Sequence, residues 1–288
     1  MSTQIPVAFE KKYAADFITL AQQKGSRLRS TVRTDASEGG KHLYFDRVGA
    51  TAMQRKTSRH MDTPTVDTPH SRRRVSVEDY VWADLIDRVD MIKMTKSPQN
   101  VYMTSGMSAA GRTMDDIIIA AANGSATTED EDDTTSTVAL PSAQKIAVAS
   151  AGLTLAKVLQ AKEILDAAEI DEMDRVMVYT AKQQSDVLAL TTFTSSDFAV
   201  KALLAGQVTE FLGFRWVRSE RLTVDSSSDR LCLAYAKSAM GLYLPQDITA
   251  RVSERADKNY SIQTYVELSL GAVRIEDAGV VQIACSEA

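Results

Sequence analysis

Residues able to do chemistry are sparse in this chain, and their spacing assembles no reactive site. The three histidines are His42, His60 and His70. Metal-binding histidines recur at i, i+2 or i, i+4 beside a second ligand type, and none of these does. They read as polar residues of extended segments. The acidic run EDEDD at 129–133 lacks the glycine and terminal glutamate of a calcium loop, so it reads as a solvated loop. No GxxxxGK[ST], GxGxxG or GxSxG occurs, which leaves no phosphate cradle and no nucleophile elbow. Serines and carboxylates are plentiful, but no histidine follows His70. A nucleophile–base pair therefore cannot be built in the second half of the chain. The expectation is a protein that is not an enzyme and uses no metal or cofactor.

Charge is the remaining concentrated feature. Residues 67–87 read DTPHSRRRVSVEDYVWADLID. Arg72, Arg73 and Arg74 are followed by Glu78, Asp79, Asp84 and Asp87, with Tyr80 and Trp82 interleaved. Opposite charges laid along one extended element suit pairing with a neighbouring copy of complementary pattern. The alternative is a nucleic-acid-binding protein using the Arg72–Arg74 patch. That function asks for overall basicity and exposed aromatics, whereas the chain has 33 Lys and Arg against 38 Asp and Glu, a net charge of −5. A hydrolase on the second half is the other alternative, and it lacks every motif.

These side chains need elements to hold them. Residues 7–23 place Phe9, Tyr13, Phe17 and Leu20 on one helical stripe. A basic tether, Lys24 to Arg33, follows. Residues 41–61 and 70–86 both look extended, with Leu43 and Phe45 on one face and Val75, Val77 and Val81 on another. The DTPTVDTP between them suits a loop tip, because its prolines forbid helix. Together they predict one antiparallel hairpin with arms of about 50 Å. Neither arm carries enough apolar side chains for its own core, so the hairpin and the leading helix are expected to dock on other copies.

Ser97-Pro98 and Asn123-Gly124 bracket a long helix over 97–123. Its apolar stripe is Met103, Met107, Ala110, Met114, Ile117 and Ala121. Beyond the acidic loop the pattern turns to mixed α and β. Leu155, Val158, Leu159 and Leu165 line a helix, RVMVYT (175–180) is a buried strand, and Thr180 caps a helix over 181–190. GFRWVRSERL (213–222) puts Phe214 and Trp216 on one face of a core strand. DRLCLAYA, GLYLP and residues 247–285 add further strands, with a turn at 277–279. Cys232 and Cys285 lie in apolar runs and read as small buried hydrophobes in a reducing compartment.

The bulk numbers agree with a folded chain. Its 288 residues are 44% hydrophobic and 25% charged, ordinary for one large globular domain or two modest ones. Glu10 and Asp16 interrupt the leading segment, so no signal peptide is expected. No stretch approaches the about 20 apolar residues of a membrane span. Synthesis in the cytoplasm without membrane attachment follows as an expectation.

Five stretches, taken in order, resemble one family: AQQKGSRLR (21–29), DTPHSRRRVSVEDYVWADLID (67–87), GRTMDDIIIAAANG (111–124), EFLGFRWVRSERL (210–222) and DITARVSERADKNY (247–260). With the sequence of elements, they resemble the HK97-like major capsid proteins of tailed bacteriophages over most of the chain. The resemblance implies an α+β, HK97-like capsid fold. Residues 1–35 would be the N-terminal arm and 40–88 an extended β-hairpin, the E-loop. Residues 89–149 would be a P domain holding the spine helix 97–123, 150–245 an A domain, and 246–288 the return strands of the P domain. The implied function is self-assembly as hexamers and pentamers into an icosahedral shell around double-stranded DNA, in the host bacterial cytoplasm. Implied partners are other copies, a separate scaffolding protein, a portal and a decoration protein. The intersubunit contact candidates are Phe9, Tyr13, Phe17, Arg72, Arg73, Arg74, Glu78, Asp79, Tyr80, Trp82 and Asp84. Some family members cross-link a Lys to an Asn. Lys41, Lys56, Asn100 and Asn259 are present without a reactive pattern, so no cross-link is expected.

Overall fold

The computed structural model describes residues 21–37, 39–87, 99–129, 134–189 and 209–287. The chain divides into two compact units, one of Met1–Gly25, Tyr80–Arg112 and Ile248–Leu268, the other of Ser26–Asp79, Thr113–Asp247 and Ser269–Ala288. The leading helix expected over 7–23, with Phe9, Tyr13 and Phe17, falls mostly outside the described residues, as does the Ser97-Pro98 cap.

In the second unit a six-stranded mixed sheet has the order β7-β14-β11-β8-β10-β9. Its members are β7 (Lys145–Ile146), β8 (Arg175–Tyr179), β9 (Glu210–Phe211), β10 (Phe214–Arg218), β11 (Arg230–Ala236) and β14 (Val280–Cys285). RVMVY forms β8 because all five of its residues are buried, the pattern of a strand covered on both faces. Phe214 and Trp216 are buried on one face of β10, as their spacing predicts. Cys232 and Cys285 are buried free thiols. The helices are α2 (Leu155–Ala167), capped by Thr154 accepting from the Lys157 backbone N–H, and α3 (Ala181–Ala189) after Thr180. Leu159, expected on the buried stripe of α2, is 47% exposed; Lys157 is buried instead. Its ammonium donates to the carbonyls of Val148 (2.7 Å), Ala151 (2.7 Å), Gly152 (3.0 Å) and Ala284 (2.8 Å). Four acceptors make burial of the charge tolerable.

The same unit holds a four-stranded antiparallel sheet, β2-β3-β5-β6. Here β2 (His42–Val48) pairs with β3 (His70–Ser76), β3 with β5 (Ala126–Glu129), and β5 with β6 (Thr135–Val138). The expected long hairpin is therefore short. Only His42–Val48 and His70–Ser76 pair, about 24 Å of ribbon. The backbone N–H of Gly49 donates to the Pro69 carbonyl at 2.9 Å, and residues 49–69 form a loop without strand. The reason lies in cover. Phe45 and Val75 join Ala126, Tyr243, Val273 and Ile275 in an apolar cluster, whereas 49–69 offer nothing to offset the backbone entropy of pairing. The expectation that the hairpin finds apolar cover only on other copies is overturned for its base.

Val77 separates β3 from β4 (Glu78–Ile86), which lies at the edge of a third sheet, β1-β12-β13-β4. The strands completing it are β1 (Arg33–Asp35), β12 (Met240–Arg255) and β13 (Ser261–Arg274). The change of sheet breaks the expected face of Val75, Val77 and Val81: Val75 is buried but Val81 is 61% exposed.

The spine-like helix α1 runs Gln99–Asn123, about 37 Å. It stops where expected, with the Gly124 N–H donating to Ala120 O at 2.8 Å. Of the predicted stripe only Met114 is buried. Met107 is 46% exposed, while Ser108, Met114, Asp115, Ile118, Ile119 and Ala122 are buried. Counting only apolar residues displaced the face by a position, because the buried set includes a carboxylate and a serine. In the first unit Gly106 of α1 lies against Trp82 and Val266; a Cβ there would come within 2.6 Å of the indole.

Candidate assembly surface

The basic tether of the sequence reading is a docked segment, and Asp115 holds it. This carboxylate is fully buried. It accepts from the Ser26 hydroxyl at 2.5 Å and from the backbone N–H groups of Arg27 and Leu28 at 3.1 Å. Ser26 Oγ in turn accepts from the Arg29 N–H at 3.0 Å, opening a single 3₁₀ turn at Arg29–Thr31. Converging N–H groups form a nest that favours an anion. Leu28, Thr31 and Val32 are buried, and Thr31 meets the Tyr235 hydroxyl at 2.7 Å. Arg33–Asp35 then pair in parallel with Gly241–Tyr243. Residues 26–35 thus belong to the chain's own body, contrary to an arm exchanged from residue 1 to 35.

The three arginines do not act together. Strand alternation puts Arg73 on the face of Phe45 and Val75, and Arg72 and Arg74 on the other. Arg73 is 2% exposed, and its Nη2 donates to Asp277 Oδ2 at 2.6 Å. Burial pulls its pKa down, opposed by the Asp277 charge. Asp277 also accepts from Arg274 Nε at 2.5 Å. Arg274 is fully buried and donates to the carbonyls of Ala122 (3.1 Å), Gly124 (2.7 Å) and Val138 (3.0 Å), closing the end of α1. The charge partner of Arg73 is in its own chain, which corrects its place among the intersubunit candidates and removes it from any nucleic-acid patch. Arg72 is exposed and lies over the Tyr44 ring at 5.6 Å; Arg74 is half-buried.

On β4 the candidates split by exposure. Glu78 and Asp79 are exposed, and Asp79 accepts from the Ser269 hydroxyl at 2.6 Å. Tyr80, Trp82 and Asp84 are half-buried on the inward face. The outward face carries Val81 and Leu85, the latter 45% exposed, neither of them among the contact candidates of the sequence. Met53 in the loop is also fully exposed. Arg55, Lys56 and Arg59 beside it are exposed, as are Asp62 and Asp67 farther along. The ribbon of β12 and β13 ends in an exposed, charged turn, with Asn259 and Tyr260 at φ 54° and 57°.

Among the described residues no group of three or more His, Cys, Asp or Glu could hold a metal ion. No described helix is long and apolar enough to cross a membrane.

The family profile described as phage capsid protein matches residues 5–287. The chain belongs to the phage capsid protein family. No curated protein matches it. Among solved structures it is similar to a chain in the capsid structure of the cyanophage P-SCSP1u, with TM-score 0.77, 18% identity, and coverage of 100% of this chain and 96% of that one. A chain of the cyanophage Pam1 capsid asymmetric unit gives TM-score 0.75 at 13% identity, covering 99% and 98%. A chain from Mycobacterium phage Che8 gives 0.72 at 16%, covering 96% and 97%. The fold is α+β and HK97-like. This capsid protein is a structural, non-enzymatic major capsid protein that forms the shell of the virion by self-assembly.

Proposed function

We propose that the capsid protein assembles as hexamers and pentamers into an icosahedral shell enclosing double-stranded DNA, with loop 49–69 resting on a neighbouring copy. The observation that carries the loop assignment is Met53, an apolar side chain with no cover in its own chain, in a loop anchored by Gly49 and Pro69. Connections longer than about 15 residues are uncommon in compact domains unless they serve contact or function. Exposed Arg55, Lys56 and Arg59 beside Met53 match the exposed acids Glu78 and Asp79 and the apolar Val81 and Leu85 of β4 in charge and character. Arg72, Glu78 and Asp79 are the sequence candidates best placed for such contacts; Phe9, Tyr13 and Phe17 complete the set through the N-terminal arm.

In domain terms residues 40–88 act as the E-loop, 89–149 and 246–288 as the P domain, and 150–245 as the A domain. A scaffolding protein, a portal and a decoration protein complete the particle, which forms in the host bacterial cytoplasm. The acidic balance of the chain suits a wall that does not hold its DNA tightly.

The test joins gel filtration with negative-stain microscopy. Wild type should give capsomers or shells. A variant with 50–68 replaced by a two-residue turn should keep its melting temperature and stay unassembled. Shells at normal yield from that variant would refute the loop's role.

A further inference from the structure

Two guanidinium groups meet one carboxylate behind the β2–β3 ribbon, and a third stands beside them. Arg73 and Arg274 are buried and share Asp277. Arg47 stands diagonal to Arg73 on the same face, since Phe45 pairs with Arg73 and Arg47 with Ser71. Its Nη1 donates to Ile275 O and its Nη2 to Ser71 Oγ, both at 3.0 Å. The cluster thus carries more positive than negative charge away from water. Its donors are also incompletely used: Arg73 Nε, Arg73 Nη1 and Arg47 Nε are buried and have no acceptor. A buried cation without a counter-charge, and buried N–H groups without acceptors, are each strongly unfavourable. Depression of the Arg73 pKa, with Arg47 and Arg274 both contributing, has the same origin.

We propose that this cluster is an oxyanion site, completed by one phosphate-like or carboxylate group that hydrogen-bonds Arg47 and Arg73. Guanidinium N–H groups in a fork select planar or tetrahedral oxyanions over halide. Half-buried Arg47 and partly exposed Asp277 mark its solvent side, where the Asp277 side chain keeps 19% of its surface. The oxyanion has two sources, dissolved phosphate and a carboxylate of a neighbouring copy.

The experiment measures melting temperature of the full-length protein, unassembled and as shells, in sodium phosphate and in sodium chloride at equal ionic strength. At about 10 mM phosphate the unassembled wild type should gain about 3 °C or more over chloride. Arg47→Gln should lose that gain, and Arg47→Lys should keep only part of it. If unassembled protein ignores phosphate, but the gain in melting temperature on assembly shrinks in Arg47→Gln and recovers in part in Arg47→Lys, the oxyanion comes from the neighbour. Equal responses of wild type and Arg47→Gln in both comparisons would overturn the site.

Discussion

Asp115 accepts the Ser26 hydroxyl across 89 residues of sequence, at 2.5 Å and out of contact with water. The same carboxylate takes the next two backbone N–H groups, so one side chain of α1 fixes the backbone of residues 26–28. Asp115→Ala strands those donors in a buried site. The expected loss is about 3 kcal/mol or more, read from urea unfolding. Amide exchange at Arg27 and Leu28 should accelerate, while that of β11 changes only with global stability.

Arg72 and Arg73 are neighbours with opposite expected phenotypes. Arg73→Ala leaves Arg274 and Asp277 in a disrupted buried network and should cost about 3 kcal/mol. Arg72→Ala removes an exposed contact over Tyr44 and should change stability by less than about 0.5 kcal/mol while lowering shell yield. Thermal melts and particle counts on both variants separate the effects. Equal destabilisation would show that Arg72 is a folding residue.

Gly106→Ala sets two effects against each other. Alanine is favoured over glycine in a helix by about 1 kcal/mol. Its Cβ, however, would sit 2.6 Å from the Trp82 ring and 2.9 Å from Val266 Cγ2, and overpacking costs about 1–3 kcal/mol. Net destabilisation is expected, with a shift in Trp82 fluorescence. A more stable variant with unchanged emission would mean that the indole does not cover this glycine.

Glu287 supplies an acid-dependent increment. Arg230 donates to both of its carboxylate oxygens at 2.9 Å and holds its pKa below the usual carboxylate range. A depressed folded pKa gives stability that is present above the unfolded value, near pH 4.3, and lost as pH falls through the folded value. Glu287→Gln should therefore cost about 1 kcal/mol at neutral pH. The difference from wild type should narrow below about pH 4 and vanish once Glu287 is protonated in the folded as well as the unfolded state. A gap that stays constant into strong acid would assign Glu287 a role unrelated to charge.

Much of the fold was legible because apolar period and caps carry it. RVMVY read as a buried strand, Thr180 opened a helix, Gly124 closed the long one, and Phe214 and Trp216 shared a face. The errors cluster where a charged side chain is buried. Asp115, Lys157, Arg73 and Arg274 sit inside, each meeting at least one partner distant in sequence. No local pattern announces a partner 89 or 204 residues away. A reader who assigns every charge to solvent will misplace the face of α1 and turn a docked segment into a tether. The candidate surface was legible only in part for a related reason. Alternation separates half-buried Tyr80, Trp82 and Asp84 from exposed Val81 and Leu85, but exposed Glu78 has the parity of the half-buried set, and the count could not be carried through Val77, where the chain leaves one sheet for another.

The closed base and open tip of the 42–76 ribbon divide mutational tolerance within a single stretch of chain. Replacements at Phe45 or Val75 are filtered first by whether the polypeptide folds at all. Replacements from Ala50 to Thr68 pass that filter and are judged by what they touch outside. Foreign peptides grafted into the tip should therefore leave expression intact, and particle geometry can drift through that segment during evolution while the core stays fixed.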